Sequence, residues 1–258
     1  MSKRDNDFDY AIQVTRIILR SIGAWPSPNY VSNMERIATR FQNVICHFLF
    51  GFIIVPSLLQ VFLKEHEFKR RVRLLAPIVN ASMSWIKYFM ILNHAKKIQS
   101  CLNRAHQDWS NTVDGSDRKA MLSTARIGRK FAIFSAAFMY TGGLCYRILM
   151  PILKGRMLTP ENITVRPLAL PSYFIKFDGR VSPAYEIVYT LQAFAGVITY
   201  STRVSAAGLA AFFIMHVCGQ LSIIIGKLQN LNNISYSNDR AVAILLANIV
   251  QHQIEVKR

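Results

Sequence analysis

The chain has 258 residues, of which 52% are hydrophobic and 17% are charged, and its formal net charge is +17. Soluble domains carry about 25% charged residues, and several apolar runs here reach bilayer-spanning length, so a membrane protein is indicated. A nucleic-acid-binding protein gathers lysine and arginine on a polar fold. Here these residues lie in the gaps between apolar runs, which disfavours nucleic acid as a partner.

Residue types that carry chemistry are not grouped in this sequence. The four cysteines are far apart, so neither a metal knuckle nor a disulfide framework is indicated. We find no paired carboxylates, no nucleophile with a base and no glycine-rich phosphate loop. We therefore expect neither an enzyme nor a bound cofactor. Residues 1–9 are polar, so membrane insertion is expected to use an internal apolar run rather than a signal peptide.

Residues 1–40 form an N-terminal segment that contains one amphipathic helix. Apolar residues recur there at helical spacing, at Phe8, Ala11, Ile12, Ile18, Leu19 and Ile22. Such a helix lies on a membrane surface or docks on other helices. Gly23 is predicted to end it, and Pro26 is predicted to prevent it from resuming.

Two spans are predicted in the first half of the chain, at residues 44–63 and 74–92. Pro56 lies inside the first span, where we expect a kink. His47 is interpreted as a packed or interfacial side chain rather than a ligand, because no partner ligand lies nearby in sequence. Lys87 lies in the second span, near its end, and is expected to extend its amine to the membrane surface, with a paired functional role as the alternative.

Residues 95–130 are polar and carry eight lysine and arginine residues. The spacing of Ile98, Leu102 and Ala105 suggests that the second helix continues out of the membrane. A turn is predicted at 114–117, which reads Asp-Gly-Ser-Asp. A third span is predicted at 131–153, stopping near Pro151.

Residues 154–183 form a proline-rich loop that contains the sequon Asn162-Ile163-Thr164. Glycosylation of Asn162 would require this loop to face the lumen or the exterior.

The apolar run 185–228 is about twice the length that a bilayer requires and is predicted to be one long helix. Ser201–Arg203 is either a bend or a polar turn within it. Residues 229–258 begin with a polar break at 230–238, and an amphipathic helix is predicted at 241–252.

The distribution of positive charge predicts the orientation. Of the 31 lysine and arginine residues, 18 lie in the N-terminal segment, the 95–130 segment and the tail, against 10 in the two intervening segments. The positive-inside rule therefore places the N-terminus in the cytoplasm and the 154–183 loop outside, as the sequon requires.

Several short motifs, in order along the whole chain, resemble those of insect odorant receptors. They are Gly23-Ala24-Trp25-Pro26, the span ending at Pro151, Leu170-Pro171, Phe177-Asp178, Ser182-Pro183-Ala184-Tyr185-Glu186 at the entry to the long helix, and His252. The cytoplasmic N-terminus fits that family and is the reverse of a G-protein-coupled receptor. The acidic-Arg-Tyr triplet of the latter class is also missing from this sequence.

The resemblance implies an all-α membrane protein, a helical bundle with four transmembrane helices of a seven-helix fold. It implies a subunit of an odorant-gated cation channel in the plasma membrane of olfactory sensory neurons, assembled with a shared co-receptor. The family's pore is lined by its last helix. Since this sequence stops after four spans, we expect a C-terminally truncated member that does not conduct by itself.

The resemblance also places a small hydrophobic odorant in the outer half of the helices. A pocket for such a ligand should be apolar and aromatic, with one or two polar groups. The residues of the predicted outer halves that fit this description are Met83, Met139, Tyr140, Gly143, Tyr146, Tyr189 and Gln192. Each of them is equally suited to helix packing, and small residues such as Gly143 often serve close helix contact.

Three other interpretations remain open. A gustatory receptor of the same superfamily differs only in its motifs, and the Trp25-Pro26 and Pro183–Tyr185 features favour the odorant branch. A fragment of a transporter would show internal repeats and charges at the midplane, and we find no repeat. A nonfunctional fragment retained in the membrane is compatible with the first interpretation.

Overall fold

The computed structural model describes residues 3–26, 32–112, 114–155, 157–158 and 164–233. Within these ranges the chain forms six α-helices and one antiparallel pair of short strands. The helices are α1 (Lys3–Ser21), α2 (Asn33–Leu59), α3 (Phe68–Asn93), α4 (Ala95–Asn111), α5 (Gly115–Lys154) and α6 (Ala184–Asn233). The strands are β1 (Met157–Leu158) and β2 (Thr164–Val165), with Met157 opposite Val165.

The all-α fold class is confirmed. Among the described residues, three helical segments are long and apolar enough to cross a membrane, and they are Asn33–Lys64, Phe68–Asn93 and Ala184–Gln229. They contain the predicted spans 44–63, 74–92 and 185–228. The fourth predicted span, 131–153, lies within α5. It stays a prediction.

Helix α2 changes its hydrogen-bonding pattern shortly after Pro56. It passes into a π-helical turn at Gln60–Lys64, one turn beyond the proline. The carbonyl of Pro56 accepts a hydrogen bond from the amide of Tyr173 at 2.9 Å. The irregularity expected at Pro56 therefore takes the form of a π-helical turn. The carbonyl of Pro56 also accepts a hydrogen bond from the loop before α6.

Helix α5 is longer at both ends than the sequence predicts. It begins at Gly115, and the carbonyl of Asp114 accepts the amide of Arg118 at 3.0 Å, so the predicted turn at 114–117 is mostly the first helical turn. It also continues past Pro151 to Lys154. The predicted span, 131–153, ends one residue before the end of α5, and the helix accommodates Pro151 because a proline removes a backbone donor without forcing the helix to end.

Helix α6 has no bend at Ser201–Arg203. The hydroxyls of Ser201 and Thr202 donate to the carbonyls of Val197 and Ile198, one turn back, at 2.8 and 2.9 Å. These local bonds satisfy both hydroxyls inside a continuous helix. The helix runs to Asn233, beyond the predicted start of the break at 230. Asn162, His252 and the predicted helix at 241–252 lie outside the described residues.

The chain packs as two compact units, each with its own core. The first unit comprises Met1–Thr15, Ser100–Ile133 and Ala207–Arg258, and the second comprises Arg16–Gln99 and Phe134–Ala206. Helices α1, α4, α5 and α6 each contribute residues to both units.

In the first unit, α1 is docked on other helices through its apolar side. Phe8 contacts the rings of His106 and Phe212 edge-on, at centroid distances of 5.0 and 5.8 Å. Asp7 accepts a hydrogen bond at 2.7 Å from Nε of Arg118 on α5. The most deeply buried apolar side chains of this unit include Ile12, Met121 and Trp109. The sequence left a docked helix and a surface helix open, and the structure shows docking.

In the second unit, an aromatic cluster joins α2 to α3. Nε1 of Trp85 donates to Nδ1 of His47 at 2.8 Å, and the ring of Phe50 stacks on Trp85. Tyr88 is fully buried against both His47 and Phe50. His47 is thus a packed side chain, as the sequence analysis favoured. Lys87, one residue before Tyr88, is exposed.

The end of α1 is fixed by Gly23 and recognised by Tyr88. Gly23 has a φ of 66°, and the amides of Gly23 and Ala24 bond to the carbonyls of Arg20 and Leu19, which is the Schellman arrangement. The hydroxyl of Tyr88 donates to the carbonyl of Ile22 at 2.9 Å. With the amide of Asn43 oriented toward Gly23, its nitrogen donates to the same hydroxyl at 2.9 Å.

The loop before α6 is held by Asp178 and Arg180. Backbone N of Arg180 donates to Oδ1 of Asp178 at 2.9 Å, and the guanidinium donates to both carboxylate oxygens, with Nη2 2.8 Å from Oδ2. These bonds from Arg180 hold the pKa of Asp178 below its ordinary value of 3.8. The backbone amide of Arg166 donates to the carbonyl of Arg180 and closes the loop at its base.

Replacing Tyr88 by Phe removes the hydroxyl that links α3 to the end of α1. The carbonyl of Ile22 then keeps only the weak thiol donor of Cys46, whose Sγ lies 3.7 Å away, so we expect a destabilisation of about 1 kcal/mol. Thermal unfolding of the purified protein in detergent measures it. The matched change Tyr10→Phe removes an exposed hydroxyl and should leave the melting temperature unchanged. Equal melting temperatures for both variants would contradict a role for the Tyr88 hydroxyl.

The Asp178–Arg180 pair predicts a pH-dependent loop. Because the folded-state pKa of Asp178 is lowered, the ionised carboxylate stabilises the folded loop. This stabilisation is present above the unfolded-state pKa and is lost as pH falls through the folded-state pKa. Hydrogen exchange of residues 174–183, corrected for intrinsic rates, should be constant from neutral pH down to the ordinary value of 3.8 and rise below it. Asp178→Asn should show fast exchange at every pH. A wild-type loop that stays protected well below that value would oppose the assignment.

Candidate ligand-binding site

The seven predicted ligand-binding residues all belong to the second unit, on three helices. Met83 lies on α3, where 54% of its surface is exposed. Met139, Tyr140, Gly143 and Tyr146 lie on α5, and Tyr189 and Gln192 lie on α6. The structure brings Tyr140, Gly143 and Tyr189 to the contact between α5 and α6, whereas Tyr146 and Gln192 bond to the loop before α6.

In the second unit, α5 and α6 meet in an antiparallel pairing. The hydroxyl oxygens of Tyr140 and Ser201 lie 2.6 Å apart. Gly143 faces the ring of Tyr200 so closely that a Cβ at Gly143 would overlap the ring. We refer to three contacts, Tyr140 with Ser201, Gly143 with Tyr200, and Arg147 with Gly196, as the α5–α6 seam. Residues 140, 143 and 147 share one face of α5, as helical spacing requires.

Near Arg147, the hydroxyls of Tyr189 and Tyr146 each bond to a backbone carbonyl. The hydroxyl of Tyr189 donates to the carbonyl of Arg147 at 2.5 Å. The hydroxyl of Tyr146 donates to the carbonyl of Ala169 at 3.3 Å, while 49% of the Tyr146 surface stays exposed. Both hydroxyls are therefore used inside the protein, and the ring of Tyr146 remains available to a ligand.

Gln192 is almost completely buried and joins α6 to the preceding loop. Its Nε2 donates to the carbonyl of Leu170 at 2.8 Å and to Oγ of Ser172 at 3.0 Å. Its Oε1 accepts the amide of Leu170 at 3.2 Å. Oγ of Ser172 also lies 3.2 Å from Oγ of Ser57 on α2. Gln192 thus holds the loop in place, and a ligand would have to compete for its amide.

Arg147 is the residue of this region that the sequence analysis missed. Its Nε and Nη1 are buried and make no hydrogen bond. Its guanidinium lies against Gly196, where a Cβ would overlap it. The signal was present in the sequence, because an arginine inside an apolar run is rare and marks a functional position by default.

The described part of the second unit contains two clefts that are large enough for a small molecule. The first, of about 580 Å³, has mostly apolar walls built from α2 and α6 and the end of α1. Its lining includes Ile45, Phe48, Leu191, Phe194 and Ser201. None of the seven predicted residues lines it, although Ser201 contacts Tyr140.

The second cleft, of about 800 Å³, lies between the α2–α3 connection and the loop before α6. Its walls carry five cations and two carboxylates, namely Lys64, Arg70, Arg166, Lys176 and Arg180 with Glu65 and Asp178. The amine of Lys64 lies over the ring of Tyr173 at 5.0 Å. Because cations outnumber carboxylates in this lining, the cleft suits a hydrated anion rather than an apolar ligand.

The first unit contains a much smaller enclosed space. It measures about 10 Å³ and is lined by residues that include Trp109, Gly128 and His216. A space of this size holds at most a single water molecule. Within the described ranges, no group of three His, Cys, Asp or Glu residues is placed to hold a metal ion.

A family profile and two solved structures match this chain. The profile of the 7tm odorant receptor family matches residues 67–257. The structure of the insect olfactory receptor OR5 from Machilis hrabei superimposes with a TM-score of 0.73 at 15% identity, covering 99% of this chain. The same receptor in complex with eugenol superimposes with a TM-score of 0.71 at 16% identity and the same coverage.

The chain spans 64% of the length of each of these receptor chains. No curated protein sequence matches it. The structural likeness shows a shared all-α membrane fold, and the family profile covers most of the sequence. The chain therefore belongs to the 7tm odorant receptor family.

Proposed function

We propose that this chain binds volatile hydrophobic odorants and gates a cation channel together with a shared insect co-receptor. The observation that carries the proposal is the odorant receptor profile, which extends over residues 67–257. The fold adds support, because a receptor of the same fold has been solved with the small aromatic molecule eugenol. We place the protein in the plasma membrane of olfactory sensory neurons.

In this proposal the N-terminus is cytoplasmic and the loop 154–183, with a glycosylated Asn162, is extracellular. The support is the excess of lysine and arginine in the N-terminal segment, the 95–130 segment and the tail. The outer halves of the helices then carry the seven predicted ligand residues.

The seven residues divide into two roles by their contacts. Met83, Met139 and Tyr146 offer apolar surface, since Met83 and Tyr146 are half exposed and Met139 is half buried. Tyr140, Gly143, Tyr189 and Gln192 hold the α5–α6 contact and the adjoining loop. The ligand would gain most of its affinity from the first group, because apolar burial scales with the area removed from water. The second group would set the shape of the site.

The apolar 580 Å³ cleft is a second location for the same ligand. Its volume falls in the range of about 300–1,000 Å³ that small-molecule sites occupy. Phe194 lines this cleft and is 60% exposed, whereas it does not belong to the seven predicted residues. The effect of a Phe194 substitution on ligand binding therefore distinguishes the apolar cleft from the surface formed by Met83, Met139 and Tyr146.

The orientation is tested with epitope tags in intact and permeabilised cells. A tag at the N-terminus should bind antibody only after permeabilisation, because the positive-inside rule places it in the cytoplasm. A tag inserted after Gly155 should bind antibody in intact cells. The reverse pattern would overturn the orientation and exchange the inner and outer halves of every helix.

Ligand binding is tested with the purified chain in lipid nanodiscs, with eugenol as the first probe and a broad odorant panel after it. Tyr146→Ala should weaken binding about tenfold, because it removes an aromatic face of the site. The matched variant Phe138→Ala removes an aromatic ring that is 71% exposed on the same helix and should bind normally. If Phe194→Ala weakens binding and Tyr146→Ala does not, the ligand occupies the apolar cleft instead.

Channel gating is tested in the same panel by recording cation current from cells that express this chain with the insect co-receptor. We expect odorant-evoked current from co-expressing cells and none from cells with this chain alone. An absence of both binding and current across the panel, with surface expression confirmed, would argue against the proposed function.

A further inference from the structure

Two nitrogens of the Arg147 guanidinium are buried in the second unit without an acceptor. Its Nε and Nη1 are shielded from solvent and make no hydrogen bond. Within the part of the chain that the structure describes, no carboxylate pairs with it. Other arginines of the described chain do have acceptors: Arg118 bonds to Asp7, Arg180 bonds to Asp178, and Arg129 donates to the carbonyl of Tyr10.

The position of this guanidinium is fixed by the helix opposite. It rests on the backbone of Gly196, where a Cβ would overlap Nη2 and Cζ and lie 2.7 Å from Nε. Any other residue at 196 would push the guanidinium away. The carbonyl of Arg147 also accepts the hydroxyl of Tyr189, which orients this turn of α5. The cation is therefore held at a defined place on the α5–α6 seam.

A buried cation without an acceptor is costly in an apolar setting. The cost falls when an oxyanion supplies paired hydrogen bonds, and arginine binds a planar carboxylate through two parallel N–H donors. The other polar groups of this region do not meet the need, because Tyr140 bonds to Ser201 and the amide of Gln192 bonds to the loop. An oxyanion beside Nε and Nη1 would supply the missing acceptor.

We propose that Arg147 binds the carboxylate of an ionised carboxylic-acid odorant, whose hydrocarbon part lies against the neighbouring apolar and aromatic side chains. This rests on the proposed odorant-binding function and specifies its ligand class. A phospholipid phosphate offers the same oxyanion chemistry, and the experiment below separates the two sources.

The test compares hexanoic acid with hexan-1-ol and methyl pentanoate, which share a similar apolar length and differ in charge. Binding to the purified chain is measured in phosphate-free maltoside micelles and in phospholipid nanodiscs at neutral pH, where the acid is ionised. The wild-type chain should bind the acid about tenfold to a hundredfold more tightly than the alcohol or the ester in both media.

Two variants alter the seam and one serves as the control. Arg147→Gln should lose the preference for the acid and keep its affinity for the alcohol, which also shows that the variant is folded. Gly196→Ala should reduce the preference by displacing the guanidinium. Arg203→Gln removes an arginine from α6 and should leave the preference unchanged. If Arg147→Gln does not fold, Arg147→Lys provides the test, because it keeps the charge and loses the paired donors.

The outcomes separate this inference from the function on which it rests. Binding of alcohol, ester and acid with equal affinity would overturn the role of Arg147 and leave odorant binding intact. Acid preference in micelles that vanishes in nanodiscs would identify a lipid phosphate as the occupant and overturn the acid ligand. An absence of binding for every compound would overturn both. Acid preference in both media that Arg147→Gln abolishes would establish it.

Discussion

The antiparallel pairing of α5 and α6 is the contact on which the second unit depends. Tyr140 meets Ser201, and Gly143 admits the ring of Tyr200, so a small residue on one helix receives a large one on the other. Apolar surface gives little net attraction between helices in lipid, and close packing with interhelical hydrogen bonds supplies the attraction instead. The same pairing places the cation of Arg147 against a glycine, so close packing also fixes the position of the cation.

Many polar groups in the two units find a partner close by. Several serine and threonine hydroxyls on α6 bond one turn back, Trp85 bonds to His47, and Gln192 bonds to the loop. In a medium without water, an unbonded polar group costs more than the local distortion that satisfies it. This explains why a polar run such as Ser201–Arg203 did not break the helix. It also explains why the unbonded nitrogens of Arg147 stand out.

The sequence predicted the helices far better than the contacts between them. Apolar run length and the glycine at 23 located α1, the spans within α2 and α3, and α6, because these signals are local. The start of α5 was misjudged, since turn residues such as those at 114–117 bias a chain without deciding whether neighbours favour a longer helix. Which residues face each other across α5 and α6 depends on the register of two distant segments. The contacts of Gln192 and Arg147 could therefore be read only from the structure.

The side-chain amide of Gln192 acts as a substitute peptide group. It bonds to both the amide and the carbonyl of Leu170, as a neighbouring strand would, and Ser172 extends the connection to Ser57 on α2. Neighbouring positions on a helix are separated by about 100° of rotation, so a small turn of α6 about its axis would release both bonds together. The loop and α6 are therefore mechanically coupled. If α6 rotates, either Leu170 moves with it or both hydrogen bonds between Gln192 and Leu170 break in a single step.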